Sequence, residues 1–105
     1  MIDLNKMCYQ AQEIAKKRNI EPVTVINLIK HCADEVVECA EAYMKTNFSD
    51  KFLLEESYKD FIGELSDIIM CALIIAGLEE IDIEQALKNC LKKNKARAEG
   101  KGDKK

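Results

Sequence analysis

Four carboxylates on two separate apolar segments carry the clearest chemical signal in this sequence. Glu35 and Glu38 lie three positions apart, and so do Glu64 and Asp67. Residues three apart are neighbours on a helix surface, about 5–6 Å apart at Cβ, so each pair directs two carboxylates the same way. Because an unpaired carboxylate among apolar residues is costly, we expect a cation between the two segments.

The donor types indicate which cation would bind. All four candidate ligands offer oxygen, which favours Mg²⁺ or Mn²⁺. A di-iron or di-manganese bundle uses Glu-x-x-His pairs, and this chain has one histidine, His31, and no such pair. A solvated acidic surface and a buried network of carboxylates with Lys or Arg are the alternatives. The network is disfavoured because no basic residue occurs between Asp60 and Glu84.

The elements that position these carboxylates are predicted to be helices, since one Pro and four Gly in 105 residues leave few breakers. Apolar periodicity and capping residues predict helices over about 2–17, over 22–45 with Pro22 in the first turn, over 57–78 with Ser57 and Asp60 as a capping pair, and from an N-cap at Asp82, paired with Gln85, to about 98. The length predicts a single domain over 1–98, followed by a disordered charged tail over 99–105.

Helix two is predicted to bury one apolar stripe, while His31, Glu35 and Glu38 share another face. The stripe consists of Ile29, Cys32, Ala33, Val36, Ala40 and Tyr43. In helix three, residues 68–78 are all apolar or Gly. A bilayer span needs roughly 20 residues, so we expect this run to be buried on all sides in a bundle or an oligomer. Asp67, at its edge, is expected in the driest position.

Composition excludes several classes of function. The net charge of −3 gives no electrostatic basis for general nucleic-acid binding. Five cysteines without a Cys-x-x-Cys pair suggest neither a disulfide framework nor a zinc site. The first residues are amphipathic rather than continuously apolar, unlike a secretion signal. These features predict a cytoplasmic protein with no membrane partner.

Several motifs together resemble the MazG-like all-α nucleoside triphosphate pyrophosphohydrolases. They are Asp-Glu-Val-Val-Glu-Cys-Ala-Glu-Ala over 34–42, Gly-Glu-Leu-Ser-Asp-Ile-Ile over 63–69, Ile-Glu-Gln-Ala-Leu over 83–87, and Lys93-Asn94-x-x-Arg97. The resemblance covers residues 20–98. It implies an all-α, four-helix, bundle-like domain assembled as a homodimer or tetramer. It also implies Mg²⁺ held by Glu35, Glu38, Glu64 and Asp67, and hydrolysis between the α- and β-phosphates to a nucleoside monophosphate and pyrophosphate.

Under this resemblance, further residues acquire candidate roles. A carboxylate that does not use all of its oxygens to bind metal can accept the proton of the attacking water. We favour Glu38 over Glu41 for this role. Lys93, Asn94 and Arg97 share one helical face and are expected to bind substrate phosphates, although basic residues near a helix C-terminus also complement the helix dipole. His31 stands one turn before Glu35, where relatives commonly carry a Lys, and is a weaker candidate for substrate contact.

Three functions remain open at this point. The preferred one is removal of canonical or damaged nucleoside triphosphates. The second is phosphoribosyl-ATP pyrophosphohydrolase activity, which shares the carboxylate pattern but is less similar at Lys93-Asn94-x-x-Arg97. The third is a helical interaction module without catalysis, which the presence of all four carboxylates disfavours.

Overall fold

The structure, a computed structural model, describes residues 2–17, 24–47 and 51–100, with the side chains of 47 and 51–54 excepted. The chain forms α1 (Leu4–Lys17), α2 (Val25–Met44), a 3₁₀ turn (Lys45–Asn47), α3 (Lys51–Leu78) and α4 (Ile83–Ala98). No strand occurs among the described residues, so the predicted all-α class is confirmed. Pro22 and residues 101–105 of the predicted tail lie outside the described residues.

Three of the described helices begin at side-chain caps. The carboxylate of Asp3, directly before α1, accepts a hydrogen bond from the Lys6 N–H at 3.0 Å. The Thr24 hydroxyl accepts a hydrogen bond from the Asn27 N–H at 3.3 Å, so α2 begins at Val25. At α4 the carboxylate of Asp82 accepts from the Gln85 N–H at 3.1 Å, as predicted. The amide of Asn5 donates to the same Asp82 oxygen at 3.0 Å, which ties α1 to the beginning of α4.

The predicted beginning of helix three at Ser57 is wrong. Helix α3 begins at Lys51, and Ser57 lies buried inside it. No Pro or Gly separates residues 51 and 57, and Leu, Glu and Lys in this stretch are good helix formers. A Ser-x-x-Asp pattern therefore did not mark a helix boundary here.

Helices α1 and α3 cross closely through small residues. Cys8, Ala11, Leu73 and Ala76 form the buried cluster, with Met7, Ile74 and Ile83 packed against it. At the crossing, a Cβ added to Gly77 would lie 2.7 Å from the carbonyl oxygen of Cys8. Because real Cβ atoms do not come that close, the absence of a side chain at Gly77 sets the separation of the two helices.

Helix α2 packs along α3 in the opposite direction. The Cys71 thiol donates to the carbonyl oxygen of Leu28 at 3.2 Å, near the beginning of α2. Near its end, the rings of Tyr43 and Phe61 meet edge to face with centroids 5.0 Å apart. Contacts thus move down α3 as they move up α2, so the antiparallel pair aligns the middle of α2 with the middle of α3.

Most of the predicted core stripe of α2 does not face the core of the chain. Val36 is 51% exposed and Ile29 50% exposed, whereas the buried residues of α2 are Leu28, Glu35 and Ala42. The apolar run of α3 is likewise only partly buried, since Ile69 is 54% exposed. The reason is that α3 covers one face of α2, the face that carries the carboxylates, while no helix of the described part of the chain covers the other apolar face.

The apolar run of α3 was expected to be too short to span a membrane, but the apolar part of the helix is longer than residues 68–78. By length and composition alone, Glu55–Leu78 could cross a bilayer, because Phe61, Ile62 and Leu65 extend the apolar stretch. The same stretch contains Glu64 and Asp67, and ionised carboxylates at that depth in lipid are costly. Length and composition are therefore weak grounds for a membrane helix here.

Candidate metal centre

The aligned middles of α2 and α3 bring three carboxylates together. One oxygen each of Glu35, Glu64 and Asp67 lies within 4.8 Å of the other two. Glu35 comes from α2, while Glu64 and Asp67 stand one turn apart on α3. The sequence-predicted pairs thus meet across the helix contact.

Glu38 lies outside this group of three but contacts it through Glu64. The negative charge of Glu64 is the main reason that the pKa of Glu38 is raised, so the two carboxylates are neighbours across the helix contact. Burial, together with the neighbouring Glu35 and Asp67, raises the pKa of Glu64. The site therefore concentrates more negative charge than the surrounding protein compensates.

Burial divides the four carboxylates differently from the sequence prediction. Each helix contributes one more buried group, Glu35 and Glu64, and one exposed group, Glu38 and Asp67. Asp67 was expected to be the most buried of the four carboxylates. This is wrong, because the apolar residues that follow it in α3, such as Ile69, are themselves exposed to solvent. Glu35 is the only one of the four that is buried.

Two carboxylate oxygens at the centre have no hydrogen-bond donor in the described part of the chain: Oε2 of Glu35 and Oε2 of Glu64, both buried. Buried charged oxygens are ordinarily paired or bound to a cation. Within residues 2–17, 24–47 and 51–100 the ion pairs are Lys16 with Glu13 and His31 with Glu35, so no Lys or Arg neutralises the cluster there. A cluster whose ligand atoms are carboxylate oxygens, with no thiolate among them, suits a hard divalent cation.

His31 lies on the carboxylate face, as the helical projection predicted. Its Nε2 is 2.9 Å from Oε1 of Glu35, with the two side chains 63% and 12% exposed. The imidazole donates from the solvent side to the most buried carboxylate of the group. Its proposed contact with substrate stays a prediction.

The other predicted site residues are not brought to the cluster within one protomer. Glu41 is exposed on α2. Lys93 and Arg97 lie on α4, which packs mainly on α1, and neither forms an ion pair with a described residue. The Asn94 amide donates only to the sulfur of Cys90 at 3.8 Å. The phosphate-binding role of this helical face stays a prediction.

Cys71 continues the carboxylate face of α3 one turn beyond Asp67, as its four-residue spacing predicts. Its thiol donates to the Leu28 carbonyl oxygen, and burial, together with the neighbouring Cys32, raises the pKa of Cys71 to about 11. All five cysteines are free thiols, which is consistent with the prediction that they form no disulfide framework.

One comparison with known proteins identifies the chain's family. A family model described as the MazG nucleotide pyrophosphohydrolase domain matches residues 23–100, which include all four carboxylates and the basic face of α4. Neither the curated proteins nor the solved structures compared with the chain gave a match.

Proposed function

We propose that this chain, which belongs to the MazG nucleotide pyrophosphohydrolase family, is a Mg²⁺-dependent enzyme that hydrolyses nucleoside triphosphates between the α- and β-phosphates. Family membership makes it a hydrolase of nucleotide anhydride bonds. The finer assignment adds the metal, the triphosphate substrate, and a role in removing canonical or damaged nucleotides in the cytoplasm.

One observation carries the metal assignment: the two buried oxygens of Glu35 and Glu64 have no donor among the described residues and lie in a cluster with Asp67. A cation held by these three residues and by Glu38 would compensate both oxygens. Mg²⁺ and Mn²⁺ both accept such ligands, and Mg²⁺ is the usual partner of substrate phosphates.

The chemistry required is the transfer of the nucleotidyl group, which carries the α-phosphorus, to water. When bound, the cation supplies charge neutralisation at the phosphoryl oxygens and helps to orient the nucleophile. The water oxygen forms a bond to the α-phosphorus, and the bridging oxygen leaves with pyrophosphate. We assign the water's proton to Glu38, since it lies outside the three-residue group and is exposed, so that it can reach a water at the edge of the centre. Glu41 is the second candidate.

Substrate phosphates are assigned to Lys93, Asn94 and Arg97. Because α4 packs on α1 in the protomer, we propose that a homodimer or tetramer brings this face to the carboxylates of another copy. The exposed apolar residues of α2 and α3, Val36 and Ile69 among them, offer the surface that a second copy would bury. A stable monomer in sedimentation equilibrium would contradict this assembly.

The test is pyrophosphate release from a panel of nucleotides with Mg²⁺ saturating. The panel contains the canonical ribo- and deoxynucleoside triphosphates, oxidised or deaminated triphosphates, and phosphoribosyl-ATP. Release from the triphosphates supports the proposal. Release from phosphoribosyl-ATP alone would assign the second activity considered above, and release from no substrate would favour a non-catalytic module.

The role of Glu38 has its own test. Glu38→Gln keeps the size of the side chain but cannot accept a proton. We expect turnover to fall by about 10²–10⁴, the usual contribution of a general base. Near-normal turnover with Mg²⁺ saturating would exclude Glu38 as the base.

A further inference from the structure

A single described side chain donates a hydrogen bond to the carboxylate cluster. Nε2 of His31 lies 2.9 Å from Oε1 of Glu35, while Oε2 of Glu35 is buried without a partner. The two oxygens of this carboxylate are therefore not equivalent: one has a donor and the other has none.

We propose that His31 is a positioning residue for the metal centre, holding Oε1 of Glu35 so that Oε2 is presented to the cation. This inference rests on the proposed function, because it presupposes that the cluster binds a metal. It assigns His31 to the outer shell of the centre instead of to the substrate.

The helix geometry supports such a role. His31 and Glu35 are four residues apart on α2, a spacing that places their side chains side by side. An imidazole is rigid beyond its two side-chain torsions, so its hydrogen bond restricts the rotamers of a longer and more flexible glutamate. The contact also lies at the exposed edge of the cluster, with His31 63% exposed. The donor therefore approaches from solvent and leaves the buried side of Glu35 free.

The charge distribution supports the same role. An oxygen of Glu35 lies within 4.8 Å of an oxygen of Glu64, and the charges of Glu35 and Asp67 are among those that raise the pKa of Glu64. In the absence of a donor, repulsion from these neighbours would favour rotamers of Glu35 that turn away from the cluster. A hydrogen bond to its outer oxygen opposes that movement. Hydrogen-bond partners of metal ligands commonly contribute 10–100-fold to metal affinity.

Other roles for His31 predict different results. If His31 contacted only the nucleotide, its removal would leave metal affinity unchanged and would raise KM. If it occupied the place of the cation and had to be displaced, its removal would strengthen metal binding. Only a positioning role predicts that removal of His31 weakens metal binding even when no nucleotide is present.

The experiment measures Mn²⁺ binding to the full chain without nucleotide, from the electron paramagnetic resonance signal of free Mn²⁺. We expect His31→Ala to raise the dissociation constant about 10–100-fold. His31→Gln, whose amide can donate from a similar position, should restore most of the affinity. The matched control is Lys30→Ala, which removes a cation from the adjacent exposed position and should change affinity less than threefold. Circular dichroism of each variant verifies that the helices are retained.

Unchanged or tighter Mn²⁺ binding by His31→Ala would overturn the inference, and so would an equal loss in Lys30→Ala, since that would indicate a general charge effect. Binding by wild type with no effect of His31→Ala overturns this inference alone. Failure of wild type to bind Mn²⁺ overturns the metal centre of the proposed function as well.

Discussion

Glu38 on α2 and Glu64 on α3 are neighbours across the helix contact, and the charge of Glu64 is the main cause of the raised pKa of Glu38. Two antiparallel helices thus bring like charges together at the middle of their contact. Such an arrangement is unfavourable for a protein alone and favourable for one that binds a cation, and it is therefore the basis of the proposed metal centre.

The raised pKa values predict how stability depends on pH and metal. The ordinary pKa of the Glu38 and Glu64 carboxyls is 4.5. Because their pKa values are higher in the folded state, the folded protein binds more protons than the unfolded chain above that pH. In EDTA, stability should therefore fall as pH rises above about 4.5 towards the raised values. We expect Glu64→Gln to raise the melting temperature of the metal-free protein at pH 7 by several degrees.

Added Mg²⁺ should reverse this pattern. Mg²⁺ should raise the melting temperature of the wild type by several degrees and leave Glu64→Gln nearly unchanged, because only the folded wild type binds it well. Thermal unfolding followed by circular dichroism measures both effects. An equal response of the two proteins to Mg²⁺ would place the ion elsewhere.

The phosphate-binding role of α4 predicts a selective kinetic effect. Arg97→Ala should raise KM for the nucleoside triphosphate about tenfold or more, since hydrogen bonds to charged groups are stronger than neutral ones. Lys95→Ala, on another face of the same helix, is the matched control and should change KM less than twofold. Equal KM values for Arg97→Ala and wild type would remove this residue from the substrate site.

The close crossing of α1 and α3 predicts opposite effects of one substitution at two glycines. Gly77→Ala places a Cβ against the carbonyl of Cys8 and should destabilise the fold by about 1–3 kcal/mol, as overpacking usually does. At Gly63 an added Cβ meets nothing within 4 Å, so Gly63→Ala should stabilise α3 by about 0.5–1 kcal/mol. Urea unfolding distinguishes the two, and a stabilising Gly77→Ala would contradict the packing at the crossing.

The sequence was sufficient to predict the four helices, apart from the beginning of α3, because helices follow from local periodicity. It also predicted that the carboxylates converge, because isolated carboxylates on apolar helices need a common cation. Asp82 capped α4 as expected because its hydrogen bond to Gln85 is local. Residues Glu35 and Glu64 met because each stands on an inward face of its helix, although the pairing of α2 with α3 came from packing.

Burial was harder to predict from sequence. Helix α2 has two apolar faces, and periodicity could not tell which one α3 would cover. The Val36 face was expected inside and lies outside, while Glu35 was expected on a face apart from the buried stripe and is itself buried. The exposure of Asp67 also depends on how few helices enclose α3, which one chain's sequence does not specify. The hydrogen bond from Asn5 to Asp82 joins residues 77 positions apart and left no local signal.

The hydrogen bond from Asn5 to Asp82 predicts how the stability of the protein changes at acid pH. The hydrogen bond from Asn5, followed by that from the Gln85 N–H, lowers the pKa of Asp82 below its ordinary 3.8. The ionised carboxylate of Asp82 therefore contributes its full stabilisation above pH 3.8. This stabilisation declines as the pH falls through the lower pKa that Asp82 has in the folded state. Asp82→Asn keeps a good N-cap but does not titrate.

Thermal unfolding between pH 6 and pH 2.5 provides the measurement. The advantage of wild type over Asp82→Asn should shrink as pH falls below 4. Asn5→Ala, which removes the larger cause of the shift, should reduce that pH dependence. A difference that is constant with pH would show that the Asp82 charge contributes nothing to folding.

The most direct test of the account is product analysis with wild type and Glu35→Gln, which alters the most buried carboxylate of the proposed metal centre. With a nucleoside triphosphate and Mg²⁺, phosphorus NMR should show the wild type forming equal amounts of nucleoside monophosphate and pyrophosphate. Glu35→Gln should be at least about 100-fold slower while retaining its helices, as expected when a metal ligand is lost. Nucleoside diphosphate and phosphate as products, or near-normal turnover by Glu35→Gln, would contradict the account.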